Sequence, residues 1–317
     1  MTTIKEIADR LGISVSTVSK GLNGASDISE ELRQLVLDTA VEMGYQTKRM
    51  KKDRYRKLCL FIKNVEYENP SDFGYDIILG FKQAAFKHNW NVDIVPITPT
   101  FQTSEKYDTF MLKGGYSGAF FVGLSLHDSW LDQLRETTIP AILFDNYIEK
   151  NPCVSYIGTD NYEGINAAIE HLYHLGHRKI AFLNGVSYSM ISKSRRQAFL
   201  ESMDAHDLSI HPELVVYGDF SAETARDHVP HFLSNGATAI LCGSDVIASG
   251  VISECQRCGY RVPNDVSVIG FDDLPISATL QPLLTTIRQN RLDLGHTAFF
   301  TLSAMLEGVS LSRTLLH

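Results

Sequence analysis

The stretch from Ile13 to Asn23 constrains the fold more than any other, because its composition suits a short, exposed helix. Its apolar positions can pack on neighbouring helices, and they are Ile13, Val18 and Leu22. The opposite side is mostly small or polar and consists of Val15, Ser16, Ser19 and Lys20. Hydroxyl groups and a cation on an exposed helix suit contact with a phosphate backbone and with base edges. The pattern predicts the recognition helix of a helix-turn-helix unit.

The flanking residues predict two further helices around this one. Thr3 and Glu6 have the spacing of a capping box, and Gly12 suits the end of the first helix. Apolar residues in that helix recur at i, i+3, i+4 and i+7, and they are Ile4, Ile7, Ala8 and Leu11. Ser14 is placed to cap the second helix and Ser29 to cap the third. Three short helices make a small core.

Residues 3–45 resemble the DNA-binding head of the lactose/galactose repressor family of bacterial transcription regulators. The matching motifs are Ile4-Lys5-Glu6-Ile7-Ala8, Val18-Ser19-Lys20 with Leu22-Asn23, and Met43-Gly44-Tyr45. The alternative is a small helical bundle with no role in nucleic-acid binding. One departure is Lys20, which stands where the family usually has Arg. Since Lys cannot make a planar bidentate contact with guanine, we expect softer base discrimination there.

The charge distribution fits a protein that touches DNA at one end. Residues 1–57 hold 11 Lys/Arg and 8 Asp/Glu, and the remainder holds 18 and 29, which sums to the net charge of −8. Residues 46–57 alone hold seven cations and one acid, Asp53. The predicted DNA contacts are Thr3, Ser14, Val15, Ser16, Thr17, Ser19, Lys20 and Asn23 in the head, and Lys48, Arg49, Met50, Lys51 and Lys52 after it. A solvated, charged linker is the alternative for 46–57.

This basic segment also departs from the family. The resemblance implies a hinge helix that forms on the operator and inserts a leucine into the minor groove. The matching stretch here has no leucine, and Met50 is the one apolar residue that could take that place. The hinge therefore binds either by charge alone or through a Met50 wedge. We expect charge to dominate, with a steep dependence of affinity on salt.

From Leu58 onward the chain alternates apolar runs with helical patterns, which predicts doubly wound α/β lobes with parallel sheets. The predicted strands are 58–62, 92–97, 119–122, 141–144, 180–183, 214–217, 239–242 and 266–270. The predicted helices are about 75–89, 103–113, 129–136, 162–175, 192–206, 222–234 and 246–258. The fold class is α/β, with an N-terminal three-helix head and two lobes.

The body resembles the effector domain of the same family, which is itself similar to periplasmic sugar-binding proteins. The motifs are 171–180, 262–273 and Leu284-Thr285-Thr286-Ile287. The predicted domains are a head at 1–45, a hinge at 46–57, and an effector-binding and dimerisation domain at 58–317. Within the last, the near lobe takes about 58–158 and about 288–312, and the far lobe about 159–287. Because the chain stops at His317, we expect the family's last strand and any tetramer-forming tail to be absent.

Six residues are candidates for contact with an effector between the lobes, and they are Phe73, Asp145, Arg195, Phe220, Asp245 and Asp272. Ligands of open α/β sheets bind at the carboxyl ends of the strands. The resemblance implies that Arg195 grips ligand hydroxyls, that Asp272 accepts hydrogen bonds, and that the aromatic residues stack on the ligand. Such a set suits a polyhydroxylated ring. The alternative is that the acids cap helices and the aromatics fill the lobe cores.

Other patterns in the sequence give weaker evidence for a functional site. His171, His174 and His177 straddle a predicted helix end at Gly176, and Cys255-x-x-Cys258 has no second pair, so we predict no metal ion and no cofactor. The chain carries no nucleophile elbow, P-loop or dinucleotide fingerprint, so an enzyme has no positive support. An odd number of cysteines, no signal peptide and no run of 18 apolar residues predict a cytoplasmic protein.

These patterns together predict a DNA-binding transcription regulator, a repressor, that is controlled by a small-molecule effector such as a sugar or sugar derivative. It should act as a homodimer on double-stranded operator DNA of pseudo-palindromic sequence, and we expect it not to associate with a membrane. The effector should bias closure of the lobes and so the placing of the heads. The alternatives are a stand-alone sugar-binding module of the periplasmic type, an effector-independent regulator, and an α/β enzyme of sugar metabolism.

Overall fold

The computed structural model describes residues 2–25, 27–45, 56–311 and 313–316. Contacts between Cα atoms divide the chain into two compact units. Unit 1 contains Met1–Asn64, Gly80–Ile157 and Gly295–Thr314, and unit 2 contains Val65–Leu79, Gly158–Leu294 and Leu315–His317. The head therefore shares a unit with most of the predicted near lobe. The predicted boundary near residue 158 agrees with this division, whereas Val65–Leu79 groups with the far lobe.

The head consists of the three predicted helices, α1 at Ile4–Leu11, α2 at Val15–Asn23 and α3 at Glu30–Glu42. The capping box of α1 is confirmed, because the Thr3 hydroxyl accepts from the Glu6 amide while the Glu6 carboxylate accepts from the Thr3 amide. Ser14 and Ser29 cap α2 and α3 in the same way. Gly12 ends α1 at φ 66°, a left-handed conformation that glycine adopts without steric cost.

The hydrophobic core of the head is small. Its buried members are Ile7, Ala8, Val18, Val36 and Ala40. Gly21 of α2 lies directly against α3, where a Cβ atom would come within 2.9 Å of the nearest methyl carbon of Val36. The absence of a side chain at Gly21 is therefore what allows α2 and α3 to approach closely.

A six-stranded sheet follows the head, with the strand order β11-β5-β4-β3-β1-β2. Its strands are β1 at Lys57–Ile62, β2 at Asn91–Pro96, β3 at Gly118–Val122, β4 at Ala141–Phe144, β5 at Val154–Thr159 and β11 at Arg313–Leu316. The connecting helices are α4 at Phe73–Lys87, α5 at Pro99–Ser104, α6 at Tyr107–Gly114 and α7 at Trp130–Leu134. The described registers between β1 and β5 are all parallel, and β1, β3, β4 and β5 are almost wholly buried.

Three predictions for this region are wrong. The single helix expected at 103–113 is two helices, because the backbone is extended at Glu105 and Lys106 and Pro99 begins the first of them. No strand was predicted at Val154–Thr159, although β5 lies there. The expected absence of a last strand is also wrong, since Arg313–Leu316 forms β11 beside β5.

The second sheet has five strands in the order β10-β9-β8-β6-β7, and its described pairings are parallel. The strands are β6 at Ile180–Asn184, β7 at Val215–Tyr217, β8 at Ala239–Cys242, β9 at Ser267–Asp272 and β10 at Thr285–Arg288. Helices α8 at Asn161–His174, α9 at Met190–Ala205, α10 at Ala225–Ser234 and α11 at Asp245–Arg257 lie between the strands, and α12 at Arg291–Leu306 follows them. The bounds of β6 to β9 and of α8 to α11 confirm the predicted alternation to within a few residues, whereas β10 and α12 were not predicted.

The last two cations of the basic segment belong to the near-lobe fold. Lys57 is the first residue of β1, and its Nζ lies 2.7 Å from a carboxylate oxygen of Asp93 and 4.6 Å from the ring centroid of Tyr116. The Arg56 guanidinium lies 5.5 Å from the ring centroid of Trp90 and donates to the carbonyl of His88. Arg56 and Lys57 thus contact residues of the near lobe, and neither is among the predicted DNA contacts.

Candidate functional site

The predicted recognition face of α2 is open to solvent. Val15 is 49% exposed, and Ser16 and Lys20 are also exposed. The Lys20 ammonium forms an ion pair with Asp27, and Asn23 donates from its side-chain amide to the Ser19 carbonyl at 2.7 Å. An exposed pair of this kind contributes little to stability, so Lys20 can exchange Asp27 for a DNA acceptor at small cost.

Three of the residues predicted to contact DNA also form hydrogen bonds at the starts of helices. The Thr3 hydroxyl caps α1, and the Ser14 hydroxyl accepts from the Thr17 amide at 3.0 Å. The hydroxyl groups of Ser14 and Thr17 also lie 2.8 Å apart. These hydroxyls fix the start of each helix, and their contact with DNA stays a prediction. Lys48, Arg49, Met50, Lys51 and Lys52 lie outside the described residues.

The predicted effector residues Arg195 and Asp272 meet in unit 2, at the carboxyl ends of the strands of the five-stranded sheet. Arg195 lies in α9, is 2% exposed, and has its Nη2 3.6 Å from Oδ1 of Asp272, the last residue of β9. Its Nε donates to Oδ1 of Asn161 at 3.0 Å, and its Nη1 donates to the Gly243 carbonyl. The guanidinium carbon lies 3.8 Å from the ring centroid of Phe271. This arginine thus joins α8, α9, β9 and the end of β8.

A second group of polar residues, which the sequence analysis did not find, surrounds Asp272. Gln289 donates to Oδ1 of Asp272 at 2.6 Å, and its own amide oxygen accepts from the Thr159 hydroxyl at 2.6 Å. Arg291, 7% exposed, donates to the carbonyl of Asp272 and lies 3.1 Å from a carboxylate oxygen of Asp76. These pairs are far apart in sequence, and nothing in their spacing predicted that they would meet.

The aromatic candidate Phe220 differs from the others because it is still 40% exposed. The tip of its ring lies against Gly185, where an added Cβ would lie only 2.2 Å from Cζ of the ring. Gly185 directly follows β6, so the Phe220 ring lies at the carboxyl-end edge of the five-stranded sheet, the edge at which Asp272 ends β9. Phe73 begins α4 and is half-buried in unit 2, whereas Asp145 follows β4 in unit 1 with φ at 54°.

Asp245 is completely buried, and both of its carboxylate oxygens are bound within unit 2. One oxygen accepts from the Thr286 hydroxyl and the other accepts from the Leu274 amide at 2.7 Å. The carboxylate therefore holds β10 and the segment after β9 on the start of α11. Its contact with an effector stays a prediction.

Burial raises the pKa of both carboxyl groups. Burial raises the pKa of Asp245 to about 7, and the hydrogen bonds from Thr286 and Leu274 oppose this rise. Burial also raises the pKa of Asp272 to about 6, and the charge of Arg195 is the largest opposing effect. Because both values lie above 3.8, the ordinary pKa of an aspartate, the folded protein holds these protons more tightly than the unfolded chain does. Stability is therefore lost as the pH rises from about 4 to the folded-state values.

We expect Asp245→Asn to weaken this pH dependence. The amide oxygen of Asn can accept from the Leu274 amide and its NH2 group can donate to the Thr286 oxygen, so the packing is kept and the buried charge is removed. Urea unfolding of the wild type from about pH 5 to pH 8 should show falling stability, and the variant should show a flatter curve. Asp265→Asn is the control. Hydrogen bonds from Arg261 lower the pKa of Asp265 to about 2, so this carboxyl group does not titrate between about pH 5 and pH 8. An unchanged slope in Asp245→Asn would contradict the assignment.

The histidines and cysteines singled out in the sequence have ordinary structural roles. His177 lies 3.0 Å from the hydroxyl of Thr238 and, through its other ring nitrogen, 3.0 Å from that of Ser267. Cys255 and Cys258 are free thiols. Within residues 2–25, 27–45, 56–311 and 313–316, no group of three or more potential ligands is arranged to hold a metal ion. The same part of the chain has no helix long and apolar enough to span a membrane.

An exposed helix-turn-helix head, followed by two α/β units with an arginine–aspartate pair at their strand ends, defines a DNA-binding transcription regulator. Comparison with known sequences agrees. A family profile described as "Bacterial regulatory proteins, lacI family" matches residues 3–48, and one described as "Periplasmic binding protein-like domain" matches residues 169–315. The chain is thus similar to the lacI family of bacterial regulatory proteins in its head, and its body is similar to a periplasmic binding protein-like domain.

Individual relatives match over almost the whole chain. The "Probable HTH-type transcriptional repressor ExuR" of Bacillus subtilis (strain 168) is 28% identical over 296 residues, which cover 91% of this chain and 87% of that protein. The structure of a "transcriptional regulator CelR-cellobiose complex" is similar with a TM-score of 0.71 at 23% identity, covering 100% of this chain and 97% of the other. A lac repressor dimer bound to operator has a TM-score of 0.71 at 24% identity, covering 99% and 96%. The two structural likenesses show the fold.

Proposed function

We propose that this protein is a repressor that binds operator DNA as a homodimer and is controlled by a sugar or sugar derivative bound to unit 2. The observation that carries the effector half of this proposal is the buried Arg195–Asp272 pair at the same sheet edge as the exposed ring of Phe220. Two structural relatives support it, since one is a cellobiose complex and another is a dimer on its operator. We place the protein in the cytoplasm and assign it no enzymatic activity, no cofactor and no metal ion.

The chemistry of the unit-2 residues suits a hydroxylated ring. The exposed aromatic ring of Phe220 offers an apolar surface of the kind on which the C–H face of a sugar stacks. Asp272 accepts hydrogen bonds, and Arg195 and Gln289 hold its carboxylate at the strand end. A site that combines one ring face with charged hydrogen-bonding groups distinguishes sugars by the placing of their hydroxyls.

The same contacts supply a route from ligand to conformation. Gln289 lies between Asp272 at the end of β9 and Thr159 at the end of β5, two residues before the start of α12. A hydroxyl that binds Asp272 competes with Gln289 for the same oxygen. We propose that this exchange biases the segments around residues 159 and 289, and through them the heads on DNA.

The proposal is tested by screening sugars for stabilisation of the full-length protein and then measuring operator binding with each hit. A ligand at 100 times its Kd adds about 2.7 kcal/mol of stability, which is easily measured as a shift in Tm. Phe220→Ala should abolish that shift and the response of operator binding, while binding without ligand is kept. Tyr260→Ala is the matched control, because Tyr260 is an aromatic residue of the same unit with 39% exposure.

The outcomes separate the proposal from its alternatives. A hit that stabilises Phe220→Ala as strongly as the wild type would place the effector elsewhere. Operator binding that no stabilising sugar changes would indicate an effector-independent regulator. A sugar that the protein converts to product would indicate an enzyme.

A further inference from the structure

Helices α3 of the head and α6 of the near lobe pack against each other within unit 1. The Thr109 hydroxyl of α6 donates to Oδ1 of Asp38 of α3 at 2.9 Å, and the Gln34 side chain of α3 donates to the same oxygen at 3.1 Å. Leu112 of α6 also packs against the hydrophobic cluster of the head. The contact therefore combines an apolar part with a charge-assisted hydrogen bond.

The burial of α6 shows that this contact covers a face the near lobe leaves open. Tyr107 and Met111 point into the hydrophobic core of the near lobe. Thr109 lies roughly 200° around the helix axis from Tyr107, at 3.6 residues per turn, so it faces away from that core. An outward-facing threonine is expected to be exposed, yet Thr109 is 0% exposed. The α3 helix, whose Asp38 accepts from Thr109, covers it.

The α3 helix shows the same arrangement from the other side. Val36 and Ala40 face the core of the head. Asp38 lies roughly 200° around the helix from Val36, on the face turned away from that core, and it is half-buried. Its neighbour Leu37 is only 1% exposed, whereas Leu35, on a third side of α3, is 51% exposed.

We infer that the outward face of α6, defined by Thr109 and Leu112, is a docking surface for α3 of the head in the same chain. Among the described residues, the hydrophobic cluster of the head has five buried members, which is little for an independent domain. Docking adds Leu112 and the Asp38–Thr109 hydrogen bond to it. The head therefore depends on the near lobe for part of its stability, and docking leaves the recognition face of α2 exposed.

The test is amide hydrogen exchange of the full-length protein, read by mass spectrometry on the peptides that cover α3. Leu112→Asp places a charge at the interface from the lobe side, and exchange in α3 should rise about tenfold or more. The matched control is Leu35→Asp, which places the same charge on the exposed side of α3 and should change exchange little.

An isosteric variant keeps the proposal testable if Leu112→Asp disturbs the near lobe itself, which exchange in β1 and β3 would reveal. Thr109→Val replaces the hydroxyl by a methyl group of similar size, and exchange in α3 should rise by about tenfold or more, as expected for the loss of one hydrogen bond to a carboxylate. Combined with Asp38→Ala, it should have a much smaller added effect. Unchanged exchange in α3 in both lobe variants, or strict additivity with Asp38→Ala, would overturn the inference.

Discussion

Gly21→Val should strongly weaken operator binding while leaving the near and far lobes folded. A Cβ at Gly21 would lie 2.9, 3.0 and 3.2 Å from three side-chain carbons of Val36, and valine adds two methyl groups beyond it. Both residues are buried on helices, α2 and α3, so neither side chain can turn into solvent. Overpacking a core typically costs about 1–3 kcal/mol, which is a large fraction of the free energy of unfolding expected for so small a head.

The expected result is a loss of operator affinity of up to about 5-fold to 150-fold, the factors that correspond to about 1–3 kcal/mol, measured by fluorescence anisotropy at fixed salt. Thermal unfolding of the two lobes should change little, since the added methyl groups lie within the head. Val36→Ala should partly rescue Gly21→Val, because it removes the carbons that the new side chain would meet. If the double variant binds no better than Gly21→Val alone, the defect does not come from this contact.

The features that sequence reasoning predicted well are the ones with local causes. The caps at Thr3, Ser14 and Ser29 depend on residues three positions apart, and the structure confirms all three. The buried strands β1, β3 and β4 are continuous apolar runs, which periodicity detects directly.

The features that sequence reasoning missed depend on contacts between residues that are far apart in the chain. Strand β5 contains Ser155 and Thr159, and its run of mixed residues becomes a strand because β4 offers an edge to pair with. Strand β11 is likewise placed by β5. At the unit-2 site, Arg195 and Asp272 belong to motifs, but Gln289 and Arg291 are ordinary polar residues until the chain folds. Arg291 meets Asp76 across a sequence separation of 215 residues.

Arg195→Ala should destabilise unit 2 by about 3–5 kcal/mol, as expected when one partner of a buried ion pair is removed. The variant loses the hydrogen bonds to Asn161 and Gly243 and the contact with the Phe271 ring, and it leaves Asp272 buried without its nearest cation. Arg195 thus stabilises the lobe as well as shaping the proposed site. A loss of effector response in this variant alone would not separate the two roles, which is why Phe220→Ala is the sharper test of ligand contact.

The pH dependence identifies the cause of the destabilisation. In the wild type the pKa of Asp272 is raised by burial to about 6, and the charge of Arg195 is the main effect that holds it down. Without Arg195 that pKa rises further, so the carboxyl is protonated and tolerated at low pH and is costly when ionised at higher pH. The difference in free energy of unfolding between the wild type and Arg195→Ala should therefore grow as the pH rises from about 5 to about 8.

Two further variants complete the measurement, which uses urea unfolding at each pH. Asp272→Asn introduced into Arg195→Ala removes the unpaired charge, and it should recover part of the lost stability at high pH and little at low pH. Arg196→Ala is the control for the loss of an arginine from α9, since Arg196 is only half-buried, and it should cost well under about 1 kcal/mol. A destabilisation by Arg195→Ala that is independent of pH would show that packing against Phe271, and not the charge of Asp272, accounts for the effect.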